Sequence, residues 1–449
     1  MTVPHPTDPT PKEMRKIIYA LAFPIVGTNL LLRGVGIVDT AMVGHISAEA
    51  QAAVGMSQWI ILMMMAIMWA INIGGTVAVA NYTGAKDDDN RIASADTAFW
   101  SGVLCSFLMI LAAFFSTGTI AGLMGADANL LEDVISYMLI IGLFFPSKAI
   151  IMVVSGIFQG FGDTKTPFRV IIGVNIVHIL IGFPLTFGMV GFPRLEIHGV
   201  ALATGISETI GAGYLIYLAY KKNLLSFKRF SPNKLKSIIK IGLPIFGERL
   251  TTSTMQITYT RLVLLTSISA YAAHTVGMMI EAIAFLPGFG FAQAATTLVG
   301  QNIGAKLPHM AKKYSNQALI IGIAVMSFLG LTYWVLPGMW MRIFSNDPEV
   351  IEYGKLFCKF AAVLQAPLAI TMILAGALRG AGQTRWVLYT TIVGAWFFRV
   401  PIGYIFGDYL GMGIFYIWLA MPIDWFVRAG MMFIKYKTHK WTSIDQLSD

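Results

Sequence analysis

Long apolar runs recur twelve times along the chain, separated by short polar connections. They lie near 17–43, 52–80, 93–119, 131–158, 167–189, 197–220, 237–266, 270–300, 315–336, 352–378, 386–407 and 412–434. Each is long enough to cross about 30 Å of hydrocarbon as a helix rising about 1.5 Å per residue. Alternation with a period of two is absent, which excludes a β-barrel. The pattern predicts an all-α membrane protein of twelve transmembrane helices. A polar tail covers 1–16 and another 435–449, and a basic connection, 221–236, separates helices 1–6 (17–220) from helices 7–12 (237–434). The first tail has no apolar core of signal-peptide type, so the first span is expected to act as its own insertion signal.

Composition agrees. Of 449 residues, 56% are hydrophobic and 12% charged, against about 45–50% and about 25% in soluble domains. This excludes disorder, a coiled coil, a disulfide-framework module and a soluble enzyme. The net charge of +9 is a matter of topology. The two tails and the connections after even-numbered spans hold 22 Lys and Arg, and the opposite loops hold three: Arg194, Arg342 and Lys355. Positive charge collects on the cytoplasmic side, so both termini are expected in the cytoplasm and the chain in the cytoplasmic (inner) membrane. No basic soluble domain exists to bind nucleic acid. Cys105 and Cys358 lie inside apolar runs and read as packing residues.

A shift of 220 residues superposes landmarks of the two halves. Pro24 falls on Pro244, Gly27 on Gly247, and Gly84-Ala85-Lys86 on Gly304-Ala305-Lys306; Gly160, Gly162 and Thr164 fall on Gly380, Gly382 and Thr384. Two six-helix lobes inserted the same way are related by a pseudo-two-fold axis along the membrane normal. A solute site is then expected between them near the midplane, and a transporter is the function class. Pro24 and Pro244 are expected to kink their helices, the paired Gly-x-Gly turns to use positive φ, and Pro287-Gly288-Phe289-Gly290 to bend or break the eighth helix.

Ionisable residues inside spans are costly and so mark function first. Asp39 lies in the outer half of span 1. Asn175 and His178 share a face of span 5, as Thr204 and Glu208 do of span 6. Asp39, Asn175, His178 and Thr204 can converge on an oxygen-rich pocket for Na⁺, or on a buried carboxylate or imidazole that takes a proton. A salt bridge from Asp39 to Arg33 or another buried base is the structural alternative. In the second half Glu248 and Glu281 fall near the midplane, with Arg261 further out and His274 opening span 8. Glu248, Glu281, Arg261 and Glu208 are candidates for a cleft that takes a cationic substrate, and an Arg261–Glu281 pair is the competing structural reading. Asp424 and Arg428, spaced i, i+4, read as an ion pair.

No Walker loop, His-Glu-x-x-His or Cys-x-x-Cys occurs, so hydrolysis of ATP and a bound cofactor are not expected. Gly160-Phe161-Gly162-Asp163 matches the Gly-x-Gly-Asp of intramembrane aspartyl proteases. That chemistry needs two acids, and the repeat partner, Gly380-Ala381-Gly382-Gln383, has none.

Motifs in order carry a resemblance. Val38-Asp39-Thr40 with Val43-Gly44-His45, Gly84-Ala85-Lys86, Gly160-Phe161-Gly162-Asp163-Thr164 and Gly199-Val200-Ala201-Leu202-Ala203-Thr204 stand in the first half. Pro287-Gly288-Phe289-Gly290, Val299-Gly300-Gln301 and Leu378-Arg379-Gly380-Ala381-Gly382 stand in the second. Along nearly its whole length the chain resembles the multidrug and toxic compound extrusion (MATE) transporters. The resemblance implies two six-helix lobes around a cleft, working by alternating access. It implies export of organic cations and other amphipathic toxins in exchange for Na⁺ or H⁺. Asp39 matches the family's coupling acid in the first lobe, with Asn175 and Thr204 as polar partners. A second Asp found in many members is here Ile179, beside His178. The acids of NorM-like members would fall at Leu368 and near Thr252, so the chain looks closer to the DinF-like branch, which favours H⁺ through Asp39. The chain is expected to act as a monomer in the lipid bilayer. A lipid-linked precursor flippase of the same superfamily is the alternative, if Arg33, Lys148 and Arg261 face a cleft.

Overall fold

A computed structural model describes residues 9–438 and Trp441; the outermost parts of the two expected cytoplasmic tails lie outside the described residues. All twelve apolar runs are helical. Span 1 is Pro11–Gly44, span 3 Asp88–Leu123, span 5 Lys165–Phe187 and span 6 Glu196–Lys221. Spans 2 and 4 are bent pairs: Ala48–Met64 with Ala66–Gly84, at 44°, and Ala128–Leu143 with Phe145–Phe161, at 51°. In the second half, span 7 is Pro232–Leu264, span 8 Ile268–Gly304, span 9 Pro308–Val335, span 10 Pro348–Gly380 and span 12 Ile414–Lys437.

By length and apolarity alone, eight helices qualify as spans, or ten with each bent pair counted once. The other two are spans 7 and 11. Span 7 carries Glu248, Arg249, Arg261 and five threonines between 251 and 260. Span 11 is divided into Thr384–Ile392, a π-helix Val393–Arg399, a short turn Val400–Ile402 and a second π-helix Gly403–Tyr409.

Local chemistry explains several helix ends. Span 1 starts at a capping box: the Thr10 amide donates to Glu13 Oε2 at 2.8 Å, and the Glu13 amide to Thr10 Oγ1 at 3.3 Å. Gly162 and Gly382 close their helices at φ +94° and +76°, as the paired glycine turns require. Span 4 bends where Pro146, without an amide hydrogen, enters its second half; nothing local explains the bend at Met65. The eighth helix lacks the break that its sequence offers as one expectation. It runs unbroken through Pro287-Gly288-Phe289-Gly290, and its glycines serve close packing.

Contacts divide the chain into two units, one of Gly27–Gly242 and one of residues 9–26 with Leu243 onward. The divide therefore falls inside spans 1 and 7, within three residues of Pro24 and Pro244, not at the connection 221–236. In the second unit, Met14, Ile18, Leu21 and Ala22 from the start of span 1 pack with Phe291, Leu298, Tyr314 and Ile373. In the first unit, Ile238 from the start of span 7 joins the core of Ile71, Val79 and Phe158. Two glycines make these contacts close, and the contacts are repeat-related: at the 220-residue offset Gly242 falls on Ala22 and Gly290 on Ala70. A Cβ on Gly242 would stand 2.7 Å from the Ala70 carbonyl oxygen, and one on Gly290 3.0 Å from that of Ala22.

The connection between the halves is fastened to the first unit. Buried Asp96 accepts hydrogen bonds from the amides of Ser226, Lys228 and Arg229 at 2.8, 3.1 and 3.0 Å and from the Ser226 hydroxyl. Thr97 Oγ1 accepts from the Ser231 amide at 3.1 Å.

Lys86 and Lys306, repeat mates after spans 2 and 8, both hold left-handed backbone, at φ +56° and +61°. A side chain there costs about 1–2 kcal/mol. Lys86→Gly and Lys306→Gly are each expected to raise the thermal midpoint of the detergent-purified protein; no rise at either position would remove strain from the account.

Candidate functional site

In the first unit, three spans deliver one polar side chain each to a single buried point. Asp39 comes from the last turns of span 1, His178 from the middle of span 5 and Thr204 from span 6. His178 Nε2 lies 2.9 Å from Asp39 Oδ1, with 1% and 6% of the side chains exposed. The Thr204 hydroxyl donates to Asp39 Oδ2 at 3.4 Å and stands 3.2 Å from His178 Nε2. The set is under-bonded. Oδ1 has the imidazole in ion-pair contact but receives no aligned hydrogen bond, and His178 Nδ1 has no partner. Tyr137, buried on span 4, is within electrostatic reach of Asp39 and of Glu208.

Of the four residues expected to converge, these three do. Asn175 does not join by hydrogen bond: its amide nitrogen donates to the Ile171 carbonyl of its own helix at 2.9 Å. Arg33 is exposed, so within the expected alternative of an ion pair from Asp39 to Arg33 or another buried base, the contact made is the one to His178. Chemically the site offers one carboxylate, one imidazole and one hydroxyl. That is a small supply of oxygens for a hard cation, which prefers a shell of them, and two adjacent acceptors for a proton. Among the described residues no group of three or more His, Cys, Asp or Glu is placed to hold a metal ion.

The four residues proposed for a cleft have these surroundings. Glu208 is paired with Lys148 at 2.7 Å. Glu248 accepts Arg379 Nη2 on both carboxylate oxygens at 2.7 Å. Arg261 is exposed and Glu281 is buried, and the expected pair between them is not formed; the cation whose field reaches Glu281 is Arg399 of span 11, without an ion-pair contact. Arg428 meets Asp424 through Nε at 2.5 Å and Nη2 at 2.9 Å, and Arg399 adds a third charge, 3.4 Å from Asp424. Sequence spacing finds Asp424–Arg428 because both lie on one helix. Arg379 and Arg399 carry no such local signal, and Asp96 sits too near a span end to stand out.

Asp163, the protease candidate, is a helix cap. It accepts from the Thr166 amide at 3.0 Å and hydroxyl at 2.7 Å and pairs with Lys222. Burial works to raise its carboxyl, but Lys222 and Thr166 outweigh it and hold it below the ordinary range.

The geometry can be set beside known proteins. The MatE family model matches residues 24–183 and again 244–405, two copies whose starts differ by the repeat offset. A probable multidrug resistance protein NorM of Thermotoga maritima is 31% identical over 438 residues, 96% of this chain and 93% of its own. The multidrug resistance protein MdtK of Photorhabdus laumondii is 27% identical, covering 96% of each. Among solved structures, an outward-facing multidrug resistance MATE family transporter of the MOP superfamily superposes with a TM-score of 0.88 at 18% identity, over 99% of this chain and 100% of that one. The bent form of the Vibrio cholerae MATE transporter VcmN reaches 0.89 at 17%, over 95% and 97%; at these identities the likeness is one of fold.

Two outcomes follow from the ion pairs. Arg428→Leu strips the closer partner from fully buried Asp424 and is expected to cost about 3–5 kcal/mol, read as a large drop in thermal midpoint; a drop no larger than that of an exposed-site control would refute the pairing. For Asp163, the depressed carboxyl stabilises the fold above the unfolded value of about 3.9 and loses that contribution as pH falls through its lower folded value. Wild type should thus melt above Asp163→Asn at neutral pH, with the gap closing in strong acid; a gap independent of pH contradicts this.

Proposed function

The chain belongs to the MatE family, and from that premise we propose that it is a secondary active multidrug exporter that exchanges organic cations or amphipathic toxins for H⁺ by alternating access. It is a multi-pass membrane transporter and not an enzyme. The observation that carries proton coupling is the buried Asp39–His178 contact, with an unfilled carboxylate oxygen beside an imidazole. A proton arriving there can end on either group, so charge changes without an ion being lodged. Na⁺ would need further oxygens, and the position that supplies a second Asp in many relatives is Ile179. Leu368 is fully buried among apolar neighbours, which supports the absence of a NorM-like acid site. The relatives' NorM and MdtK names support drug-like small molecules as substrates.

In this mechanism an ionised Asp39 faces His178 across 2.9 Å and ties spans 1 and 5 together. Protonation of Asp39 itself removes that charge and loosens the tie, so span 1 can repack about Pro24, whose ring nitrogen cannot donate a backbone hydrogen bond. Linkage makes the effect mutual: a state that binds the proton more tightly binds the substrate less tightly, by the same factor. The excess of Lys and Arg in the tails and in the connections after even-numbered spans supports both termini inside the cell, and the chain is proposed to act as a monomer. The flippase reading loses one of its three cations, because Lys148 is neutralised by Glu208.

In proteoliposomes, a pH gradient alone is expected to drive ethidium efflux, and a Na⁺ gradient alone is not. Asp39→Asn should reduce pH-driven efflux about tenfold or more, and His178→Gln should shift its pH dependence. Efflux driven only by Na⁺, or an Asp39→Asn protein with full pH-driven transport, would sink the reading.

A further inference from the structure

The 220-residue repeat carries the first unit's site onto a second one. Asp39 falls on Tyr259, Thr204 on Asp424 and Glu208 on Arg428, while His178 falls on Phe398, one residue before Arg399. That single step has a cause. Arg399 ends the π-helix Val393–Arg399, and a π turn bonds i to i+5 and so takes in an extra residue. The second unit does gather these groups. The Arg399 guanidinium lies 5.2 Å from the centre of the Tyr259 ring, with Nη1 3.7 Å from Met255 Sδ and Nε 3.4 Å from Asp424 Oδ2. Where the first unit holds carboxylate, imidazole and hydroxyl, the second holds phenol, guanidinium and carboxylate.

This corner cannot titrate through its basic member, because a guanidinium does not release its proton in a protein. It is also unbalanced. Arg428 already takes both oxygens of Asp424, so Arg399 is a surplus cation at 5% exposure. A surplus buried charge is expensive unless another group answers it. The buried acid within its field is Glu281 of span 8, 7% exposed, with Oε2 lacking any hydrogen-bond partner and no direct ion-pair contact to Arg399. The other titratable or charged groups turned toward this corner are Tyr259 from span 7, Tyr333 from span 9, Cys358 from span 10, and Asp424 and Arg428 from span 12. His274, earlier on span 8, is buried with neither ring nitrogen partnered.

We propose that Glu281 is a second proton-binding site of this exporter, with Arg399 as its built-in counter-ion. Ionised, Glu281 balances Arg399 and the corner is neutral. When H⁺ from water binds Glu281, the corner becomes positive, and Arg399 is left to Asp424, the Tyr259 ring and the Met255 sulfur. The proton leaves again as H⁺, with no other bond changed. A positive interior opposes a cationic substrate, which is the sign that exchange of one for the other demands. This inference rests on the proton-coupled reading, but its first test does not depend on transport.

That test is an infrared pH titration of the full chain in detergent, following the carbonyl stretch of protonated carboxylic acids. A band that fades as pH rises is expected to vanish in Glu281→Gln. If the variant titrates like wild type, or if the Glu281 band is present at every pH, the site does not exist. Should Glu281→Gln fail to fold because Arg399 is left unbalanced, Glu281→Gln/Arg399→Gln removes both charges. Loss of the same band in that double variant supports the proposal, and a wild-type titration overturns it. In proteoliposomes Glu281→Gln is expected to halve the protons moved per ethidium; an unchanged ratio overturns a coupling role for the site. If no pH gradient drives ethidium while the Glu281 band still titrates, proton coupling falls and the binding site stands.

Discussion

An ionised side chain carried into a bilayer must find its counter-charge and hydrogen bonds within the protein, because hydrocarbon offers neither. The packing of both units answers to that demand. In the first, Asp39 meets His178 and Glu208 meets Lys148. In the second, Glu248 meets Arg379, and Asp424 meets Arg428 and Arg399. All but one of these contacts join different spans. Apolar contacts alone say little about the rotation of a helix about its own axis, and lipid tails compete for them on equal terms. The ion pairs between spans choose the rotation: each of those fixes which face of a span turns inward.

What the amino-acid pattern discloses follows from the same division. Helix is compulsory in hydrocarbon, so apolar runs locate all twelve spans, and the turn glycines Gly162 and Gly382 follow from backbone sterics. Charges sharing a helix face, as Asp424 and Arg428 do, are also readable, and so is the trio of Asp39, His178 and Thr204. Partners distant in the chain are not: Arg379 for Glu248 and Arg399 for Asp424 have no local signature. The π segments of span 11 are hidden because an inserted residue leaves hydrophobicity unchanged. The Pro287-Gly288-Phe289-Gly290 run misleads because its glycines admit neighbours, Gly290 against span 1, without interrupting the helix.

Duplication supplied two copies of one scaffold, and the copies have diverged where chemistry happens. The backbone devices persist: the proline near each unit boundary, the left-handed lysines, the paired turns. The polar corner has been rebuilt, with its acid moved from span 1 to span 12 and its imidazole replaced by a guanidinium. A scaffold can keep its joints while exchanging its charges, since the joints depend on sterics and the charges only on local neutrality.

The reciprocal exchange of helix starts sets a timetable for synthesis. The opening turns of span 1 leave the ribosome long before the residues that receive them, Phe291 to Ile373, which are translated hundreds of residues later. The first unit, for its part, lacks a piece of its core until Ile238 and Gly242 have been made. Neither unit therefore has its complete core until residues from the other half of the sequence have been made. A nascent chain arrested at the basic connection would hold an unclosed first unit and an unclaimed leading helix, the form in which membrane quality control would meet it.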